Sequence, residues 1–366
     1  MKNIKITTLF VTLLFAPALL LCAQTAAPKT AKPAAKKAAV KPAVKPAAKP
    51  DAAAVPASAP AAAPAPAAAP VVSTTPVIDP LDEALEKIQS KDPAERRQAA
   101  DVIGLSRNAK GAPALMTALS DDAPRVRQSA ADALGMLTWR EASPKLAEML
   151  LKDADASVRQ QAAISLSYIM DQASGRALVK ALKDASPAVR YASLHTLAVM
   201  KYAPAEDEII ALLSSDDANM RRGAISALGL LQSKKAAGAL ATAMKDPDQY
   251  VRLEAVRALG TIGDTSSAAE ITKLLAKEEQ PELRIEAALS LSKMGSSDGL
   301  LTAYEFVKSQ DMSLKSQSLN VIAAVGDARS LQFIDELYAA ETDPSNKSML
   351  DFTRQRIMMR LKSQPK

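Results

Sequence analysis

The sequence predicts an all-α protein: an α-solenoid of about nine antiparallel helix pairs over residues 81–366, preceded by a disordered Pro/Ala/Lys-rich tether over 24–80 and a signal peptide over 1–23. Three observations predict this organisation. A basic residue returns every 31 or 32 positions from Arg96 to Lys347. Around it, apolar residues recur at offsets that trace one helix face. Composition also changes near residue 80, because 12 of the 23 prolines lie between Gln24 and Pro80 with 22 alanines and no glycine. Such a stretch lacks the large apolar side chains that build a core.

The amino terminus has the order of an export signal. Lys2 and Lys5 precede an apolar run from Ile6 to Leu21, and small and polar residues follow it. Cleavage is expected after Ala23, with Ala26 as the second choice, since the peptidase takes a small residue at the cut. Two alternatives stand beside it. Lipidation at Cys22 conflicts with Leu21, where a small residue is normal. Retention as an anchor needs about 20 apolar residues, and this run is marginal. The address is therefore extracytoplasmic, periplasmic or secreted. Cleavage would remove the one cysteine, which fits an oxidising compartment.

Residues 24–80 follow as a spacer. Proline fixes its own φ and disfavours helix in the residue before it, so this segment is expected to be polyproline II, with a reach of at most about 170 Å. Its seven lysines suit weak contact with anionic envelope polymers or lipid; a solubilising linker without a partner is the alternative. Of 46 Lys and Arg, nine precede residue 81, whereas only two of 40 acids do. The folded part is then within one charge of neutral, and the basic balance belongs to the tail. That distribution argues against nucleic-acid binding.

Each repeat has columns with a physical meaning. The basic column is Arg96, Arg127, Arg159, Arg190, Arg221, Arg252, Arg284, Lys315 and Lys347. Four residues earlier, seven of the nine residues are Asp or Ser, good helix N-caps. Proline often follows, at the first helical position. Offsets −1, +3 and +7 hold Val/Leu/Met, Ala/Ser and Leu/Ile and face a core. Gly104, Gly135, Gly229 and Gly260 at +8 are expected to weaken the helix toward its end. A preceding helix carries Leu115, Leu146, Leu178, Ile209, Leu240 and Ile271 at the same period. One helix pair cannot bury its apolar face alone, so the pairs stack.

The segments Asp122-Ala-Pro-Arg-Val-Arg127-Gln-Ser-Ala-Ala-Asp-Ala-Leu-Gly135 and Asp246-Pro-Asp-Gln-Tyr-Val-Arg252-Leu-Glu-Ala-Val-Arg-Ala-Leu-Gly260 resemble HEAT repeats of the short phycobilisome-lyase-like, or E-Z, type. The resemblance runs from residue 81 to about 362, and the last two units depart from it as capping repeats do. It implies a protein-binding solenoid. The same fold also occurs in chromophore lyases and in deoxyhypusine hydroxylase, so it does not settle function.

Enzymatic readings lack parts. One histidine, His195, cannot build the paired His-Glu iron ligands that the hydroxylase resemblance implies, and one Cys with one His excludes a Cys/His zinc site. The acid pairs Asp121-Asp122, Asp216-Asp217 and Glu278-Glu279 recur in loops, where capping explains them. No catalytic residue, metal or cofactor is expected, and an enzyme or lyase of this fold is the alternative. The arginine column is read as structural, each guanidinium pairing with a loop acid. Partner contact is assigned to offsets +1 and +5 of the second helix, away from the core face and on the helix that the HEAT resemblance places along the concave surface. There Tyr191, His195, Arg222, Leu253, Arg257, Ile285 and Leu289 form an aromatic, basic and apolar stretch suited to a protein or peptide. The alternative is that the apolar members are covered within the stack.

Overall fold

The computed structural model describes residues 79–277 and 279–363; the signal peptide and the tether lie outside them. The described residues form eighteen α-helices in nine pairs: α1 (Pro80–Lys87) with α2 (Pro93–Ser106), α3 (Ala112–Ala118) with α4 (Pro124–Met136), α5 (Ser143–Lys152) with α6 (Ala156–Ile169), and α7 (Gly175–Ala181) with α8 (Pro187–Val199). Next come α9 (Glu206–Ala211) with α10 (Ala218–Leu231), α11 (Ala237–Ala243) with α12 (Gln249–Ile262), and α13 (Ala268–Lys273) with α14 (Pro281–Lys293). The series ends with α15 (Leu300–Phe306) and α16 (Met312–Val325), then α17 (Ala328–Ala340) and α18 (Pro344–Ser363). No strand occurs among the described residues.

The second helix of each pair starts where its cap predicts. Asp92, Asp155, Asp217, Asp248 and Asp311 accept backbone N–H groups of the first turn. Ser186 makes no such bond. Asp184, two residues earlier, accepts the N–H of Ser186 instead. The +3 column is buried from end to end and the +7 column from Ile103 to Ile322, with Leu134, Leu166, Leu197, Leu228, Leu259 and Leu291 all at 0% exposure. Each such leucine contributes about 1.5–3 kcal/mol by leaving water.

Helix ends differ from the sequence expectation. The glycines at +8 stay within the helix, and Gly104, Gly135 and Gly260 lie where neighbouring second helices approach closely. A Cβ on Gly104 would sit 2.8 Å from Ala133 Cβ, and one on Gly260 only 2.6 Å from Ser290 Cβ and 2.7 Å from its Cα. The stop comes three residues later, at +11, where Arg107, Thr138, Met170, Lys201, Gln232, Gly263 and Gly295 all have positive φ. The N–H of the next residue then closes onto the carbonyl at +7, as in Trp139 to Leu134 and Tyr202 to Leu197. Short 3-10 turns lead into most of the first helices. A further column at +15, Gly111, Ala142, Ser174, Ala205, Ala236, Ser267 and Gly299, is buried throughout.

Second helices pack directly on one another along the array, and polar side chains join them: Thr196 Oγ1 donates to the Ala163 carbonyl at 2.8 Å, and Ser290 Oγ to that of Val256 at 2.9 Å. The arginine column supplies the other tie. The Arg221 Nε and Nη2 groups donate side-on to both Asp246 oxygens at 2.8 Å, while Nη1 donates to the carbonyls of Ser215 and Asp216. Arg96 with Asp121, Arg127 with Asp153 and Arg159 with Asp184 repeat this arrangement. Each pair links one repeat to the loop of the next. The arginines hold the carboxyls of Asp121, Asp184 and Asp246 below the usual aspartate range.

Candidate functional site

Offsets +1, +5 and +9 of the second helices lie away from the −1, +3 and +7 core columns. The amino-terminal part of that face is polar. Arg97, Arg125, Gln128, Ser129, Asp132 and Gln161 line a cleft of about 200 Å³. Gln161 Nε2 donates to Asp132 at 2.8 Å. Burial, then the nearby Asp101, raises the Asp132 carboxyl pKa, and the bond from Gln161 opposes that rise.

The sequence-assigned residues divide into three groups. His195 and Arg222 are exposed, and Arg222 reaches only Asn219 at 3.3 Å. Arg257 is half-exposed and donates to Glu286 and Glu254, both at 2.9 Å. Burial opposes its charge, but the two glutamates outweigh that and raise its pKa. Glu286 is buried, and its Oε1 has no hydrogen-bond partner among the described residues.

Tyr191 is half-buried, and its hydroxyl donates to Asp217, the cap of α10. Burial, then Asp217, pushes its phenol up to about 12. This bond has a structural reason. Arg190 donates to the carbonyls of Asp184 and Ala185, but the next loop carries Ser215 where other repeats place the paired aspartate. Tyr191 supplies the cross-repeat tie there.

The apolar members are not an exposed patch. Ile285 is at 0% exposure, inside the core of the last repeats, and has no surface to offer a partner. Leu253 and Leu289 are half-buried and pack against the core. Close stacking of the second helices covers these positions, the alternative the sequence left open.

A different apolar row is exposed. At +9 stand Leu105 at 74%, Tyr168 at 55%, Leu230 at 48% and Val199 at 36% exposure, with the half-buried Met136 completing one residue per repeat over the first five repeats. The row then turns polar at Thr261 and Lys293. It was readable as a repeat column, an apolar residue two positions beyond the core leucine in five successive units. Offsets +1 and +5 alone do not include it.

Among the described residues no group of His, Cys, Asp and Glu could hold a metal ion, and no helix is long and apolar enough to cross a membrane. Asp121 is occupied by Arg96, Asp217 caps α10, and Glu278 lies outside the described residues.

Among solved structures, the CpcE–CpcF complex of phycocyanin lyase from Nostoc sp. PCC7120 is similar at 25% identity and a TM-score of 0.40, covering 64% of this chain and 95% of that one. The Escherichia coli protein YibA is 20% identical with a TM-score of 0.48, covering 66% of this chain and 91% of its own. Human deoxyhypusine hydroxylase is 18% identical with a TM-score of 0.31, covering 66% of this chain and 94% of its own. No curated protein sequence matches. The family model for HEAT repeats matches residues 78–167, 175–248 and 238–303, more than half of the chain. With its helix pairs, capped second helices and arginine ties, this chain belongs to the HEAT-repeat family.

Proposed function

We propose that this protein is an exported, non-enzymatic scaffold that binds a protein partner on the second-helix face of its solenoid. The observation that carries the reading is the apolar row at +9: large apolar residues stay exposed at one position in successive repeats although the fold does not need them there. Neighbouring helices in such a stack lie about 8–10 Å apart. An amphipathic helix returns to the same face after seven residues, about 10.5 Å, and so presents apolar side chains at a matching spacing. The exposed His195, one turn before Val199, and the exposed Arg222 on the next second helix supply polar contacts. The lysine-bearing segment before residue 80 serves as the spacer, in weak contact with anionic envelope polymers or lipid.

Two experiments test the reading. A photo-crosslinking residue placed at Leu105, Tyr168 or Leu230 in the producing cell is expected to trap one discrete protein, and the same residue at exposed Lys180 on α7 is expected not to. Equal trapping from both surfaces contradicts a specific face. Mass spectrometry of the mature amino terminus tests the address: a start at Gln24 or Ala27 supports export and cleavage, whereas an intact leader or a lipidated Cys22 makes the protein a membrane-anchored spacer.

A further inference from the structure

The polar cleft of the first three repeats gathers groups of both charges that the fold leaves without partners. It has a volume of about 200 Å³ between α2, α4 and α6 and is lined by Arg97, Arg125, Gln128, Ser129, Asp132 and Gln161. The Arg125 guanidinium, the Gln128 amide and the Ser129 hydroxyl make no hydrogen bond or ion pair among the described residues, and they stay open to water. Asp132 is half-buried. Its Oδ1 accepts from Gln161 Nε2 at 2.8 Å, while its Oδ2 has no partner among the described residues and is not closed off from the cleft. Polar groups that converge on a cavity and remain uncommitted there are the usual mark of a binding site.

The charge of Asp132 is left uncompensated by its neighbours. Further along the array the same two positions, +5 of one second helix and +2 of the next, hold Arg257 and Glu286, which pair at 2.9 Å. Beside Asp132 the +2 position carries Gln161, a neutral amide. Arg97 turns to Asp101 at 3.4 Å, and neither Arg97 nor Arg125 comes within ion-pair distance of Asp132. Burial first, then Asp101, raises the Asp132 pKa. A carboxylate so placed is stabilised by a cationic donor that the chain itself does not bring. Opposite charges thus line one cleft without touching.

We infer that the cleft binds a small zwitterion of the α-amino-acid class, its ammonium on Asp132 Oδ2 and its carboxylate on Arg125, with Gln128 and Ser129 as further hydrogen-bond partners. Charge and size select this class. A simple cation would meet the two arginines and a simple anion would meet Asp132, whereas a zwitterion satisfies both signs at once. A water molecule takes about 30 Å³ in the liquid, so the cleft has room for about six or seven non-hydrogen atoms, the size of glycine, alanine or serine. No lining residue belongs to the +9 row, so this site and the partner-binding face can fail independently.

The test uses the full chain and isothermal titration calorimetry with glycine, L-alanine and L-serine at neutral pH. At least one of the three is expected to bind. For the tightest of them, the N-acetyl form, which lacks the ammonium, and the amide, which lacks the carboxylate, are each expected to bind at least tenfold more weakly. Asp132→Asn and Arg125→Gln are each expected to weaken binding at least tenfold, and Lys180→Gln, on α7 away from the cleft, to leave it unchanged. Arg125 is exposed and has no partner among the described residues, so its replacement tests the site without removing a contact of the fold. No binding by any of the three, equal binding of either blocked form, or unchanged binding in either cleft variant overturns the proposal. Tighter binding of acetyl-Lys-Glu-amide than of all three also overturns it, by assigning the cleft to side chains of a partner.

Discussion

The first six repeats and the last three solve the same packing problem with different parts. From α1 to α12 the units share two devices: a small residue against a small residue where second helices touch and, at Arg96, Arg127, Arg159 and Arg221, an arginine held side-on by the next loop's aspartate. Arg190 and Arg252 donate to carbonyls of their own loop. From α14 onward the aspartate partner gives way to aromatic contacts. Arg284 pairs with Glu305 and lies over Phe306 at 4.8 Å. Lys308 lies over Phe333 at 5.5 Å, and Lys347 over Tyr338 at 4.9 Å. Tyr304 and Phe333 meet at 4.8 Å between ring centres. The buried core divides accordingly, into one cluster up to Leu291 and a second from Ile285 to Ile357. A repeated interface can be propagated by periodic residues, whereas the end of a stack must satisfy one unit without a successor.

The comparison is broken most severely at the close seam of the regular part. Gly260→Val would drive side-chain atoms into the Ser290 backbone and is expected to cost about 3 kcal/mol in denaturant unfolding. Gly229 stands at the same offset, but its nearest neighbour, Ala258 Cβ, would be 3.5 Å from a new Cβ. Gly229→Ala is therefore expected to gain up to about 1 kcal/mol from helix propensity. Equal losses at both glycines would show that close approach does not matter.

Removing one cross-repeat pair is the next largest change. Asp246→Asn is expected to cost about 2 kcal/mol at neutral pH, because it weakens two charge-assisted bonds between groups that are 13% and 10% exposed. In the last repeats, Glu305→Gln is expected to cost less than about 1 kcal/mol, since Glu305 is 44% exposed. The pH dependence has a definite sign. Asp246 titrates below its unfolded value near 3.9, so its contribution is complete above about pH 4 and is lost as pH falls through the lowered value. The gap between parent and Asp246→Asn should narrow as pH falls below about 4, and a gap that widens on acidification would contradict the pairing.

Smaller effects sharpen the same contrast. Thr138 is a β-branched residue at φ 50°, and Thr138→Gly is expected to raise stability by about 1 kcal/mol, whereas Gly263→Ala lowers it by a similar amount. Tyr191→Phe is expected to cost about 1 kcal/mol, because it removes the tie at the junction where Arg190 meets Ser215 in place of an aspartate.

Much of the array was legible because periodicity and chemistry agree. The basic column, the N-caps and the buried +3 and +7 columns are local or nearest-neighbour features that most units repeat. Positions set by the approach of two helices were not legible in the same way. Glycine at +8 looks like a helix breaker until its neighbour is seen 2.6 Å from where a Cβ would stand. The stop at +11 is hidden because Arg, Thr, Met, Lys and Gln occupy a conformation usually marked by glycine. Ile285 and Leu253 looked exposed on a single-helix wheel, and only stacking covers them. The apolar row at +9 was visible as a column but lies outside offsets +1 and +5.

The central claim is that this row serves a partner and not the fold. The direct measurement replaces Leu105, Tyr168 and Leu230 together by serine in a chain carrying a photo-crosslinking residue at exposed Ser226, and records thermal melting and crosslinked product side by side. The expected result is an unchanged melting temperature and a crosslink reduced at least tenfold. A lowered melting temperature with the crosslink intact would mean that the row stabilises the solenoid and that the partner binds elsewhere.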